Sequence, residues 1–364
     1  MNGKIPAAEP LIEEEEKSAV QEVLESGQIA SGPKVEEFED DFSEYIGVEH
    51  SIALNSGTSA LISSLLAAGV GKGDEVIVTP YSFVSSVTSV ILVGAEPVFV
   101  DISYDTLCID PDRIEDSIDE KTKAIIPVHL YGQPADMSRI NEIAEEKDLV
   151  VLEDSCQAHG AEYEGRKVGG MGDVGCFSFY ATKNMMSGEG GMVTTDDEEI
   201  AEKIRMIREH GRTDDGDGYK MPGYNFMMTD VEAALGIEQL KKLDDINEKR
   251  RKNANILHDG LESEEEAGKL ERPLEAEGTK HVYHQYALKL GEEKRERVVN
   301  AMRKAGMGVR EGYQRPIYKE EAVDKDIELP MAEKACKEVV WLPVHPQLEA
   351  AHMRRMSWGL KHYL

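Results

Sequence analysis

The chain has 364 residues, enough for two or three domains at ~100–200 residues each. Its share of hydrophobic (40%) and charged (31%) residues is that of a folded globular protein and excludes disorder or a collagen-like repeat. With 71 acidic against 41 basic residues the formal charge is −30, which argues against nucleic acid or an anionic membrane as a partner.

The N-terminal stretch MNGKIPAAEPLIEEEE turns acidic at once and lacks the basic, apolar and small-residue order of a signal peptide, so a cytoplasmic protein is expected. The charge runs Glu13–Glu16 and Glu264–Glu266 read as exposed helix faces. From residue 50 a strand, a Gly/Pro-rich turn and a helix recur. SIAL (51–54) leads into a helix near Thr58, and EVIVTP (75–80) into one near Phe83. PVFVD (97–101) leads to the Pro111 segment, where a third helix is expected. KAIIPV (123–128) precedes the amphipathic Met137–Lys147, and LVVLED (149–154) closes the series. The uncharged stretches Ser51–Gly71 and Val76–Ala95 are interrupted by Ser, Thr, Gly or Pro, so each reads as a buried strand followed by a helix rather than a membrane span. Such alternation implies crossover connections and a mostly parallel sheet.

CFSFY (176–180) and GGMVTT (190–195) read as two further strands, followed by helix Glu198–Glu209 and a long helical stretch from Thr229 to about His258. The acidic segment 262–278 reads as a boundary, and strand 283–290 and helix Lys294–Lys304 begin a smaller α+β unit. The expected division is a large domain over residues 1–248 and a small one over 249–364. Cys108, Cys156, Cys176 and Cys336 show no C-x-x-C spacing, so neither a zinc site nor a disulfide framework is expected. His129, His159, His281 and His284 are taken as structural.

Three segments carry chemistry. In FSFYATKNMMSGEGGMV (177–193), Lys183 stands at a strand end beside Gly-Glu-Gly-Gly, whose glycines let backbone approach a ligand closely. A desolvated amine there can lose its proton and attack a carbonyl, whereas an ordinary surface lysine is the bland alternative. In VVLEDSCQAHGA (150–161), Asp154 ends an apolar strand. Carboxyl ends of parallel strands face the ligand crevice, so this carboxylate suits a buried cationic ring nitrogen as well as it would suit a helix cap. NSGTSAL (55–61) opens a helix with Gly57 and Thr58, as capping residues or as N–H donors to a phosphate. GxxxxGK[ST] is missing, so this is no Walker loop. A strand-end lysine, a strand-end aspartate and a phosphate-binding helix start are the parts a pyridoxal phosphate enzyme needs.

The chain resembles the DegT/StrS sugar aminotransferases, fold type I pyridoxal phosphate enzymes, over nearly its whole length. The matching landmarks run in family order: SGQIASGPKVEEFE (26–39), NSGTSAL, GDEVIVTPYSFVSS (73–86), VHLYGQPADM (128–137), EDSCQAHGA, FSFYATKN with GEGGMV, GYNFMMTDVEAALGIEQL (223–240) and LPVHP (342–346). The resemblance implies an α/β fold with a large cofactor domain and a smaller C-terminal one. It also implies that Lys183 bonds covalently to pyridoxal 5′-phosphate and that Asp154 pairs with the pyridinium nitrogen. Gly57, Thr58 and Ser178 then bind the phosphate, Phe83 stacks on the ring and Gln157 lies near its face or hydroxyl. Asn225 reaches the phosphate of a neighbouring subunit, so a homodimer with shared sites is implied. The implied reaction moves an amino group from glutamate or glutamine to a nucleotide-linked keto sugar. Two alternatives are a keto-sugar dehydratase, in which histidine usually replaces the lysine, and a cofactor-bound regulator or scaffold without turnover. The sequence departs from the family at Met227, where arginine is usual before Met228, and at Gly312, where a His-Tyr-Pro run is common; Tyr313 or Arg315 is expected to compensate.

Overall fold

The computed structural model describes residues 3–213 and 218–364. The chain enters through α1 (Glu14–Ser26) and α2 (Pro33–Ile46) and then builds a seven-stranded central sheet. Its strands are β1 (His50–Leu54), β2 (Glu75–Val78), β3 (Glu96–Phe99), β4 (Thr122–Ile126) and β5 (Val150–Asp154). After the short β6 (Glu162–Tyr163) and β7 (Arg166–Lys167), which lie outside it, β8 (Val174–Ser178) and β9 (Gly191–Thr195) complete it. The spatial order is β1-β9-β8-β5-β4-β2-β3, parallel throughout except for β9, which is antiparallel to both neighbours. Helices α3 (Gly57–Ala67), α4 (Ser85–Leu92), α5 (Met137–Lys147) and α6 (Glu198–Arg208) accompany it. Strands covered on both faces lose their polar face, which explains the apolar runs Val76–Val78 in β2, Ala124–Ile126 in β4 and Val150–Leu152 in β5.

After α7 (Asp230–Lys241) and α8 (Leu243–Glu266), β10 (Leu270–Glu271), β12 (Tyr286–Leu290), β13 (Arg310–Glu311) and β14 (Val339–Leu342) form an antiparallel sheet in the order β10-β12-β14-β13. The brief β11 (Thr279–Lys280) pairs with β6. Leu257 and Leu261 of α8, Val298 and Val299 of α9 (Glu292–Lys304) and Met353 and Met356 of α11 (Ala350–Tyr363) pack with this sheet into a second core, which Ile5 joins from the N-terminus. Ala335 and Cys336 of α10 (Pro330–Glu338) belong instead to the core of the large sheet. Residue 248 lies inside α8, which runs without a break from one core to the other.

The sequence pattern needs four corrections. The Pro111 segment forms two single 3-10 turns, Pro111–Arg113 and Glu115–Ser117, instead of an α-helix. The stretch from Thr229 is broken at Lys242, where α7 ends and α8 begins, and α8 continues through the first residues of the acidic segment. The strand expected over 283–290 starts only at Tyr286, because Tyr283 sits at φ 46°, in the left-handed region. Glu16, read as part of an exposed acidic face, is 0% exposed: its side chain closes a capping box with Glu13 and accepts from Gln239 Nε2 at 2.6 Å. Among the described residues no helix is long and apolar enough to cross a membrane.

Glu153, one residue before the end of β5, is also fully buried. Its carboxylate accepts the backbone N–H groups of Gly169, Met171 and Gly172, each at 2.7 Å, and His129 Nε2 at 3.0 Å. His129 Nδ1 accepts from the Ala135 N–H, so the ring proton sits on Nε2 and points at Glu153. Burial by itself would raise the carboxyl's pKa, but His129 and the backbone donors outweigh it and hold the pKa below its ordinary value. A carboxylate with a depressed folded pKa contributes stability that is present above its unfolded pKa, about 4.3, and is lost as pH falls through the folded value. We therefore expect Glu153→Gln to lower unfolding free energy by about 3 kcal/mol at neutral pH. The gap to wild type should shrink below about pH 4.3 in urea titrations, and a gap of constant size would contradict this account.

Candidate active site

The carboxyl ends of β1, β5 and β8 and the amino end of β9 meet at one edge of the central sheet, since Gly191 pairs with both Leu54 and Ser178. A cavity of about 560 Å³ opens there, within the range of small-molecule sites. Gly57, Thr58, Phe83, Asp154, Gln157, Ser178 and Lys183 all line it.

Helix α3 starts at this edge. Ser56 caps it by accepting the Ser59 N–H, and the remaining first-turn N–H groups have no partner within the helix. Gly57 fits because a Cβ there would lie 2.7 Å from Ser178 Cβ, and at Gly191 a Cβ would lie 2.2 Å from the Ser56 carbonyl oxygen. The hydroxyls of Thr58 and Ser85 are 2.9 Å apart, tying the first turn of α3 to that of α4. Neither helix has an acidic residue in its first turn, so an anion placed here meets donors and the positive end of two dipoles.

Asp154 is held from two sides. Oδ2 accepts from Ser86 Oγ at 2.7 Å and Oδ1 accepts from the Cys156 N–H at 3.2 Å. Lys183 follows a turn in which its N–H donates to Tyr180 O, and its amine forms no hydrogen bond or ion pair among the described residues. Burial lowers its pKa, and nearby Cys156 and Asp154 oppose the shift. Gln157 Oε1 accepts from the Tyr131 N–H at 3.1 Å and its Nε2 donates to Tyr313 Oη at 3.2 Å. That amide therefore joins the β5 end to an aromatic wall of Tyr131, Tyr313 and Trp341. Phe83 is 57% exposed at the cavity, so its ring is no core residue.

Asn225 is outside the lining; it is exposed, and its backbone oxygen accepts from Asn55 Nδ2 at 3.4 Å. Of the two residues expected to compensate at the Gly312 departure, Tyr313 lines the cavity and Arg315 does not; Arg315 lies 3.8 Å from Glu320. Any side chain at 312 would crowd Tyr81 Oη, 2.9 Å from the Cβ position. Met228 is buried in a core cluster. Sequence reasoning missed Ser85 and Ser86, whose signal is the uncharged SFVSS turn, and also Arg310, Trp341 and His284 on the cavity wall.

The donor set fits pyridoxal phosphate: an unpartnered amine, a tethered carboxylate, a helix start kept open by Gly57, and room beside an exposed ring.

The family description "DegT/DnrJ/EryC1/StrS aminotransferase family" matches residues 10–360. The spore coat polysaccharide biosynthesis protein SpsC of Bacillus subtilis is 39% identical over 367 residues, covering 95% of this chain and 94% of SpsC. Among solved structures, Helicobacter pylori PseC, an aminotransferase involved in the biosynthesis of pseudoaminic acid, superposes with a TM-score of 0.93 at 29% identity, covering 99% of both chains. NtdA from Bacillus subtilis, with bound cofactor PMP, superposes at 0.91 and 32% identity, covering 100% of this chain and 86% of NtdA.

A lowered amine pKa leaves more of Lys183 unprotonated at a given pH than an exposed lysine. In cofactor-free protein, brief treatment with a small acylating reagent at about pH 8 should label Lys183 ahead of the exposed Lys123, read by peptide mass spectrometry. Slower labelling of Lys183 than of Lys123 would contradict the shift.

Proposed function

The chain belongs to the DegT/DnrJ/EryC1/StrS aminotransferase family, and we propose that it moves an amino group from glutamate or glutamine to a nucleotide-linked keto sugar. The observation that carries this reading is the convergence of an unpartnered lysine amine, a tethered carboxylate and an uncharged helix start on one cavity. The names of SpsC and PseC, in polysaccharide and pseudoaminic acid biosynthesis, favour a sugar acceptor.

Bound pyridoxal 5′-phosphate supplies an aldehyde that condenses with amines and a cationic ring that takes up carbanion charge. Lys183 would hold the aldehyde carbon. With its amine free, Lys183 would act as the base and acid that carries a proton from the donor's α-carbon to the cofactor's reacting carbon. Asp154, fixed by Ser86 and the Cys156 amide, keeps a proton on the ring nitrogen by charge pairing. The N–H groups of Gly57 and Thr58 and the hydroxyls of Thr58 and Ser178 bind the phosphate. Phe83 covers one ring face, and Gln157 lies beside the ring. Asn225 crosses to the phosphate held by a second copy, in a homodimer with shared sites. In the sugar half of the reaction the same Lys183 amine would move the proton in the opposite direction. Residues 1–248 supply the named contacts and residues 249–364 the far wall, a division that we place within α8.

Borohydride should fix the cofactor on Lys183, and peptide mapping that finds the adduct elsewhere would refute the assignment. Asp154→Asn should retain fold and covalent cofactor while losing most turnover, because an amide cannot hold the ring nitrogen protonated; near-normal turnover would reassign that contact.

The shared site has its own test. Lys183→Ala and Asn225→Ala should each be weak alone. A refolded mixture makes half its dimers hybrid, each with one intact site, so activity should return to roughly a quarter of wild type. Verified hybrids without recovery would show that Asn225 acts within its own chain.

A further inference from the structure

Asn184 follows Lys183, and its side-chain amide has one permitted orientation. Nδ2 donates to Asn247 Oδ1 at 2.8 Å and to Val282 O at 3.0 Å, which uses both amide protons. Asn247 cannot be turned the other way, because its own Nδ2 is committed to His159 O at 2.8 Å. Asn184 therefore presents Oδ1 to His284, whose Nδ1 lies 3.3 Å away. A carbonyl oxygen only accepts, so Nδ1 of His284 carries the ring proton. Burial, with the charges of Lys183 and Arg250, pushes this imidazole well below its ordinary pKa, and the ring holds no second proton. Nε2 is left with its lone pair.

That lone pair has no hydrogen-bond partner among the described residues, and His284, 8% exposed, lines the cavity together with Lys183. Neighbouring His159 differs, since both its ring nitrogens are sealed in the interior. Burial disfavours a charged ring at His284, and buried Arg250, which donates to the His284 carbonyl at 3.3 Å, adds to this. A second cation would be repelled there, whereas a neutral hydroxyl would be welcome.

We propose that Nε2 of His284 is a fixed acceptor for a hydroxyl of the keto sugar, a contact that determines specificity in the sugar half of the reaction. Nδ1 is tied to Asn184, so the ring cannot switch tautomer to suit a ligand that accepts. The inference rests on the aminotransferase reading given above.

Two measurements test it. In the holoenzyme with 15N-labelled histidine at about pH 7.5, the His284 ring, assigned by its loss in His284→Phe, should show the Nδ1–H tautomer in 15N–1H correlations. An Nε2–H ring or an imidazolium would overturn the proposal. The two half-reactions are then timed separately, with glutamate and with the keto sugar. In His284→Phe, kcat/KM for the sugar half should fall about tenfold more than for the donor half, the worth of one neutral hydrogen bond. Equal losses in both halves, or no loss in either, would overturn it. Wild-type enzyme that aminates no keto sugar overturns the functional reading and this inference with it, whatever the ring tautomer.

Discussion

The Glu153 carboxylate is the constraint on which the site edge depends. A carboxylate with no access to water is tolerated only when its lone pairs are all engaged, and here three backbone N–H groups and one imidazole engage them. Its partners come from the segment after β4 and from the segment that leads into β8. The single side chain therefore ties the segment after β4 and the end of β5 to the loop that lies across β8, next to the residue that faces the cavity. Gly169 adds to this register: a Cβ there would lie 2.3 Å from the Phe177 ring, so the chain passes flush against β8. Apolar packing alone would not set these positions, because it is indifferent to small slips along a strand.

From that anchored edge the functional groups follow by alternation along β5. Glu153 and Asp154 are consecutive, so their side chains leave opposite faces of the strand. One goes into the peptide cradle of residues 169–172 and the other toward α4, where Ser86 meets it. The strand delivers one carboxylate for structure and one for chemistry with no change of backbone. Tyr131 completes the wall in the left-handed region at φ 57°, with Gln157 on its N–H. A bulky residue in that conformation is costly, and the contacts with Tyr313 and Trp341 are what hold it there.

Much of this was legible in the residues, and the legible part has a common cause. Lys183, Asp154 and the Gly57 helix start are each marked by their own neighbours: a strand that stops, a glycine loop that follows, an N-cap at a fixed offset. Ser86 and His284 carry no such mark. Ser86 acquires its meaning from a carboxylate 68 residues away, and His284 from an amide 100 residues away. Only the packed chain brings those pairs together. Glu16 was misread for the same reason, since a run of four glutamates looks like a solvated face until Gln239 is placed against one of them. The break at Lys242 is also tertiary, as nothing in the local composition of 229–258 prohibits one continuous helix.

The distribution of charge joins fold to site. A chain of formal charge −30 is a poor place for anions, and its acidic residues open most of its long helices, including the first turns of α1, α6, α7, α8 and α9. Helices α3 and α4 differ from these: GTSALISSLLA and SSVTSVIL contain no ionisable side chain at all. Elsewhere the carboxylates neutralise helix dipoles and stabilise the fold. At the cavity the dipoles are left bare, so the positive ends of two helices remain available to a ligand. The uncharged stretches 51–71 and 76–95, which in a sequence resemble membrane segments, are thus where this acidic protein brings two undressed helix starts to one cavity.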